Sequence, residues 1–327
     1  MQITIVGCGA IGGLIAARLR LAGIPVTILE RPDIAAILRT VGITYFDLDD
    51  NIHNLADFRV PDVAETANVA DILILGLKAH QIPQALPSIT PLIGDETTIV
   101  TVQNGIPWWY FHGHVSAPDS QTIHAVDPGG RLADLIPASQ VVGCVAYPAA
   151  AVPEPGRVIH VEGDRMPVGA VDASQSHRAV LVSEVFSAAG FRSRVLCDLR
   201  AEIWLKAVGT ASLNPLSALT RATFAQICGN EETRNLARVL MLEAAAVADA
   251  LGVELRVSID RRLEGAERVG HHRSSMLQDV ERGVRMEADA LLGAVVELGE
   301  RLAVPTPHLV TVLAMLRLLD ETTCAGS

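Results

Sequence analysis

The feature that most constrains this chain is the stretch "IVGCGAIGG", residues 5–13, which sets Gly7, Gly9 and Gly12 in the spacing G-x-G-x-x-G. The preceding "MQITIV" is short, β-branched and apolar, as a buried strand requires. The following "LIAARLRLAGI" carries its apolar residues at helical spacing. Strand, glycines and helix in that order give the motif its meaning. Gly7 permits the tight turn, Gly9 the close approach of a pyrophosphate, and Gly12 the packing of helix on strand. The first N–H groups of the helix and the positive end of its dipole suit the phosphate charge. A dinucleotide is therefore expected on Gly7, Cys8, Gly9, Ala10, Ile11 and Gly12. Cys8 need only be small there, and Gly13 reads as a spare. The plainer alternative is a glycine-rich turn that binds nothing.

Further strands follow at "PVTILER" (25–31), "ADILILGL" (70–77) and "TTIVTVQ" (97–103), separated by helix-like stretches. Continuous apolar runs of this kind belong to strands covered on both faces, and the alternation implies parallel βαβ units. Residues 106–156 are rich in glycine and proline, with short strand-like pieces. "GRVIHVEG" and "RMPVGAV" read as a hairpin turning at Gly163-Asp164, followed by a helix near 175–189 and a strand "SRVLC". From Asp198 onward the spacing is helical almost throughout, with Pro307 set to open the last helix. The fold class is α/β: an N-terminal Rossmann-type dinucleotide-binding domain over 1–197, then an all-helical domain over 198–327.

Composition narrows the function. Half of the 327 residues are apolar and 19% are charged, enough for two buried cores. A net charge of −11 argues against non-specific nucleic-acid binding, so any anionic ligand must meet local cations. The five cysteines are scattered without a C-x-x-C pair, so neither a disulfide framework nor a zinc site is expected. No apolar run reaches the ~18 residues of a membrane span and no basic leader precedes the first strand, so a cytoplasmic setting away from membranes is expected. The oligomeric state stays open, a homodimer included.

Reduction of a carbonyl needs a proton donor for the developing alkoxide and anchors for the rest of the substrate. Lys206, Thr210 and Asn214 are spaced four apart and share one face of a helix. Lys206 has apolar neighbours, and spacing alone favours the plainer reading, a lysine whose stem lies on the core and whose head reaches water. In "HHRSSMLQDVERGVRMEADA" (271–290), Ser275 and Gln278 form S-x-x-Q, a capping box opening a helix at Met276. Gly283 marks a break between two helices, which lets Ser275 and Glu287 converge. His271 and His272 point apart on any regular element and are poor metal ligands; no metal is expected.

Through "GCGAIGG", "LKAHQ", "QNGIPWW", "RAEIWLKAVGTASLNPLSALT" and "SSMLQDVERGVRMEADA", in order and over essentially its whole length, the chain resembles the ketopantoate reductases. These enzymes reduce ketopantoate (2-dehydropantoate) to pantoate with NADPH on the way to pantothenate and coenzyme A. The resemblance implies that Lys206 is the general acid for the keto oxygen. It implies that Glu287 engages substrate and catalytic geometry, that Ser275 holds the substrate carboxylate and that Asn214 contacts the substrate. The resemblance further implies that Asn104 supports the nicotinamide end of the site and that Arg31 with Lys78 contacts the 2′-phosphate of NADP. Two residues depart from the family pattern. Thr210 stands where the family usually has asparagine. Glu30, at the tip of the second strand, is the residue type that accepts hydrogen bonds from an unphosphorylated ribose, so NAD stays open. Two cations against one carboxylate, with the carboxylate free to turn outward, favour NADP. The alternatives are an NAD(H)-dependent D-2-hydroxyacid dehydrogenase acting on another branched or aromatic 2-oxo acid and, from another class, a non-catalytic dinucleotide sensor.

Overall fold

The computed structural model describes residues 1–62, 68–114, 121–270 and 273–325. They group into two compact units. The first comprises residues 1–103 and 131–199. Its strands are β1 (Ile3–Val6), β2 (Val26–Leu29), β3 (Ile43–Phe46), β4 (Ile52–Leu55), β5 (Ile72–Leu75), β6 (Thr98–Thr101), β7 (Val141–Cys144), β8 (Ala149–Ala151), β9 (Arg157–Glu162) and β10 (Val168–Ala170). Its helices are α1 (Ala10–Leu21), α2 (Pro32–Val41), α3 (Ile82–Ile89), α4 (Arg131–Leu135) and α5 (Ser176–Ala188). Six strands form one sheet in the order β10-β7-β6-β5-β1-β2. All neighbours in it are parallel except the β10–β7 pair. Because β1 lies between β2 and β5, the strand order reverses at β1, the place where open α/β sheets bind ligands beyond their carboxyl ends.

A second sheet, β4-β3-β9-β8, was not foreseen from the sequence. α1 packs against strands of both sheets, which is why Leu14, Ile15, Ala16, Ala17 and Leu19 are all buried rather than confined to one stripe. Gly13 is therefore not a spare: a Cβ there would stand 2.9 Å from Cγ2 of Val158 on β9. The expected hairpin of β9 with β10 does not form, since β9 pairs with β8 and β3 while β10 joins β7 at the edge of the other sheet. Pro167 explains the difference. It has no N–H for a ladder, so the strand begins only at Val168, on an edge. "SRVLC" likewise makes only isolated bridges, such as Val195 with Val168.

The second unit comprises residues 104–130 and 200–327. Its helices are α6 (Leu199–Thr220, beginning in the first unit), α7 (Phe224–Gly229), α8 (Glu231–Ala250), α9 (Ile259–Val269), α10 (Ser275–Glu281), α11 (Ala294–Arg301) and α12 (Pro307–Ala325). A π-helical turn at Asp289–Gly293 leads into α11. Residues 104–130 group with these helices, not with the remainder of 1–197. Their aromatic run supplies the reason. Trp108, Trp109, Tyr110 and Phe111 are all buried, and the Trp204 indole N–H donates to the Tyr110 hydroxyl at 2.8 Å. Arg200 adds bonds to the carbonyls of Tyr110 (2.8 Å) and His112 (2.5 Å), and Glu297 accepts the N–H groups of His124 and Ala125. No helix of the described residues is long and apolar enough to cross a membrane.

The glycines of the first turn separate packing from binding. A Cβ on Gly12 would lie 2.0 Å from the Gly7 carbonyl oxygen, whereas one on Gly9 would meet nothing within 4 Å. Gly9 also has φ −74° and ψ −161°, which alanine tolerates. Gly12→Ala is expected to lower stability by about 1–3 kcal/mol, the cost of overpacking a tight site. Gly9→Ala should leave the melting temperature unchanged while weakening dinucleotide binding. Calorimetry with a cofactor titration checks both, and undiminished binding by Gly9→Ala would show that nothing approaches the loop there.

Candidate active site

At the carboxyl end of β1 the chain turns at Gly7, whose φ of +89° suits glycine alone and whose N–H donates to the Leu29 carbonyl at 3.0 Å. Gly76, just past β5, closes against the same point: a Cβ there would be 2.5 Å from the Gly7 oxygen and 2.8 Å from Cα of Gly12. Three backbones thus meet without side chains, and Gly76 had no role assigned from sequence. α1 starts at Ala10 with Gly9 as its cap, no side chain occupying the cap and no acid in the first turn. Gly9 is exposed and Ala10 and Ile11 partly so, which leaves the helix N–H groups and dipole open to an anion. A dinucleotide fits this cradle. The Cys8 thiol is buried, and burial together with the Glu30 charge pushes its pKa up to about 12, so it is inert filler.

Glu30 does not turn outward as expected. One carboxylate oxygen accepts the Cys8 N–H at 2.6 Å and the other the Arg31 N–H at 2.9 Å, so it braces the glycine loop. Two backbone donors outcompete solvent for an acid that the chain has brought beside them. The Arg31 side chain is 74% exposed, with Asp33 3.7 Å away. Lys78 follows β5, so the two cations leave the carboxyl ends of the strands on either side of β1. Gln103, past the end of β6, donates to the carbonyls of Leu75 (2.5 Å) and Leu77 (2.9 Å), which ties the β5 exit in place.

The second group of residues lies entirely in the second unit. α6 is buried almost all round from Glu202 to Ala218, with one opening at Leu205, Lys206, Gly209 and Thr210. Those positions are i, i+1, i+4 and i+5, one continuous patch of a helix surface. At it, Lys206 Nζ donates to Asn104 Oδ1 at 2.5 Å. The Thr210 hydroxyl bonds back to the carbonyls of Lys206 and Ala207, both at 3.3 Å, as threonines inside helices do. Asn214, one turn further, is only 7% exposed, and its carboxamide has no hydrogen bond to the described residues. A buried amide without a protein partner costs stability unless a ligand or water meets it.

Asn104 is positioned by its successors. Gly105 rests so closely on the π-helical turn that a Cβ would stand 2.0 Å from the Ala290 oxygen, and the Ile106 N–H donates to that same oxygen at 3.1 Å. Glu287 precedes the turn and gives its carbonyl to the Leu291 N–H. As expected, α10 ends before Gly283, whose φ is +66°. The cap of α10, however, is Ser274 and not Ser275: the buried Ser274 hydroxyl accepts the Leu277 N–H at 3.0 Å, and Gln278 donates to the Arg273 carbonyl. With two serines in tandem the inner-facing one caps. Ser275, at the first helical position, is exposed and relieved of that duty. Met276 and Val280 of α10, with Met286 and Ala288 on either side of Glu287, share one core cluster with Ala218 of α6. That cluster packs the neighbours of Ser275 and Glu287 against Ala218 of α6, while Asn104 and Lys206 meet directly. His271 and His272 lie outside the described residues.

Comparisons with known proteins give matches along both halves of the chain. The family model "Ketopantoate reductase PanE/ApbA" matches residues 3–173, and its C-terminal counterpart matches 198–320. A 2-dehydropantoate 2-reductase of Mesorhizobium japonicum is 45% identical over 325 residues, covering 98% of each chain. One from Archaeoglobus fulgidus is 27% identical over 97% of each. Among solved structures, a candidate ketopantoate reductase from Ralstonia solanacearum superposes with a TM-score of 0.91 at 34% identity, covering 98% of each chain. A D-mandelate dehydrogenase in complex with NADH and anilino(oxo)acetate shares the fold (TM-score 0.84) at 19% identity, over 99% of each chain. Matched by its models in both halves and by a relative of nearly half-identical sequence, the chain belongs to the ketopantoate reductase (2-dehydropantoate 2-reductase) family.

Proposed function

We propose that the protein reduces the 2-oxo group of 2-dehydropantoate to give pantoate, with Lys206 as the proton donor. The observation that carries this reading is the 2.5 Å contact of Lys206 with Asn104 at the single opening of α6. A reduced pyridine nucleotide held on the Gly7, Gly9 and Gly12 loop would supply the hydride for C2. Lys206 gives a proton to the oxygen as it becomes an alkoxide, and takes another from solvent afterwards. Asn104 aims the ammonium by accepting one of its N–H bonds. Ser275, free of capping, offers its hydroxyl to the substrate carboxylate at the start of α10. The unpartnered amide of Asn214 and the carboxylate of Glu287 take the remaining polar groups. A sensor without turnover would have no use for a lysine held this way. The buried free thiols Cys8 and Cys228 support a reducing, cytoplasmic setting. A homodimer is supported by the exposed apolar side chains Val310, Met315 and Leu318 on α12.

For the cofactor, NADPH is the first reading, supported by the exposed guanidinium of Arg31 and by Lys78 beyond β5. A specific observation favours NADH as the second: Glu30 is already turned onto the loop, where a ribose hydroxyl would find it.

Lys206→Ala is expected to lower kcat by roughly 10²–10⁴ while cofactor still binds, the usual worth of a positioned proton donor. A loss under about fivefold in steady-state assays would remove Lys206 from the chemistry. Arg31→Ala should weaken NADPH by about 1.5–3 kcal/mol, the scale of a charge-assisted hydrogen bond, and leave NADH nearly unaffected. Equal losses in calorimetric titrations would mean that Arg31 reads no phosphate, and a native preference for NADH would give the decision to Glu30.

Thr210 bears on the substrate. Its hydroxyl is spent on the helix backbone, so it presents a methyl where the family usually presents an amide. Loss of one substrate hydrogen bond costs about 0.5–1.5 kcal/mol. Thr210→Asn should therefore raise kcat/KM for 2-dehydropantoate up to about tenfold and leave 2-oxoisovalerate, which lacks the 4-hydroxyl, unchanged. A parallel response of both substrates would show that residue 210 does not face the hydroxyl.

A further inference from the structure

Glu287 sits on a strap, residues 284–287, that carries no helix or strand and joins α10 to the π-helical turn. Such a segment has many conformations to lose, so a carboxylate carried on it needs an external hold. We propose that Asp320 and Arg317 of α12 are positioning residues for Glu287. The proposal rests on the reading of Glu287 as a carboxylate that engages substrate.

Asp320 Oδ1 accepts the Met286 N–H at 2.7 Å, and its Oδ2 stands 3.7 Å from Nε of Arg285. Arg317 donates to Asp289 Oδ1 through Nε (3.0 Å) and Nη2 (2.7 Å). Arg317 and Asp320 are three residues apart, so they lie on one side of α12. One helix face therefore grips the chain just before Glu287 and just after it. Between these grips, Met286 and Ala288 are 2% and 3% exposed in the cluster that also holds Leu316 of α12. With both neighbours turned inward, Glu287 is left the opposite side. Asp289 also opens the turn whose Ala290 oxygen receives Ile106 and supports Gly105, so the hold reaches Asn104 through the backbone.

Asp320 and Arg317 would equally exist to satisfy an N–H and an exposed carboxylate, and a double-mutant cycle separates the two roles. Asp320→Ala, Asp320→Asn and Arg317→Met are made alone and with Glu287→Gln, and kcat and KM are measured for reduction of 2-dehydropantoate. Folding of this unit is followed by tryptophan emission, because Trp108, Trp109 and Trp204 are all buried within it. Asp320→Ala is expected to lower kcat/KM about tenfold beside native Glu287, the scale of a modest displacement at a reacting centre, and under about twofold in the Glu287→Gln background. Asp320→Asn keeps an oxygen for the Met286 N–H and should recover most of the loss. Arg317→Met should behave like Asp320→Ala, and it carries the test if Asp320→Ala does not fold. Equal losses in both backgrounds, or no recovery by asparagine, would overturn the positioning role. Full activity of Glu287→Gln alone would overturn the role of Glu287 and the clamp with it, and that result is read without touching α12.

Discussion

The contact on which the placement of Asn104 beside Lys206 depends is the one between Gly105 and the Ala290 carbonyl. A glycine with φ +85° lets the backbone descend where any Cβ would collide, and the Ile106 N–H then fastens it. The π-helical turn is part of the same device. Such turns are rare and concentrate at functional sites because the extra residue in the turn re-aims what precedes and follows it. Here it sets Glu287 ahead of the turn and receives the segment that carries Asn104. Lys206 then has a partner held by backbone packing, not by a flexible side chain alone.

α6 is unusual in the polar side chains it carries. Helices buried on all sides are normally apolar, yet this one carries Lys206, Thr210, Ser212, Asn214 and Ser217 through the core. Each polar group is accounted for differently. The hydroxyls of Thr210, Ser212 and Ser217 bond to nearby main-chain carbonyls, and Lys206 reaches Asn104. The Asn214 carboxamide has no hydrogen bond to the described residues, and Pro215 directly after it has no N–H to return to the Ala211 carbonyl.

Much of this was legible in the sequence because it is local. The glycine spacing, the strand runs and the helical periodicity of 199–220 report short-range geometry, and the matching elements formed. What stayed hidden was long-range. Gly13 looks dispensable until β9 crosses α1, and β9 and β10 look like a hairpin until each is seen in a different sheet. Periodicity gives no warning that residues 104–130 would leave the α/β unit. The aromatic run "WWYF" was the available signal: four consecutive large side chains need a core of their own, and Trp204 and Arg200 supply it. The tandem serines at 274–275 expose a finer limit, because a cap is decided by which hydroxyl faces the first turn, and sequence fixes that only to within a residue.

The chain itself joins the two kinds of chemistry at one peptide bond. Gln103 belongs to the α/β unit and uses its amide to tie down the exit of β5, from which Lys78 emerges. Asn104 belongs to the helical unit and holds the lysine. Each of the two residues is thus anchored within its own unit, Gln103 by the carbonyls past β5 and Asn104 by the ammonium of Lys206. On this account the order Gln103-Asn104-Gly105 follows from three separate physical demands placed on neighbouring residues: a tie to β5, a partner for Lys206, and a bare backbone against the π-helical turn.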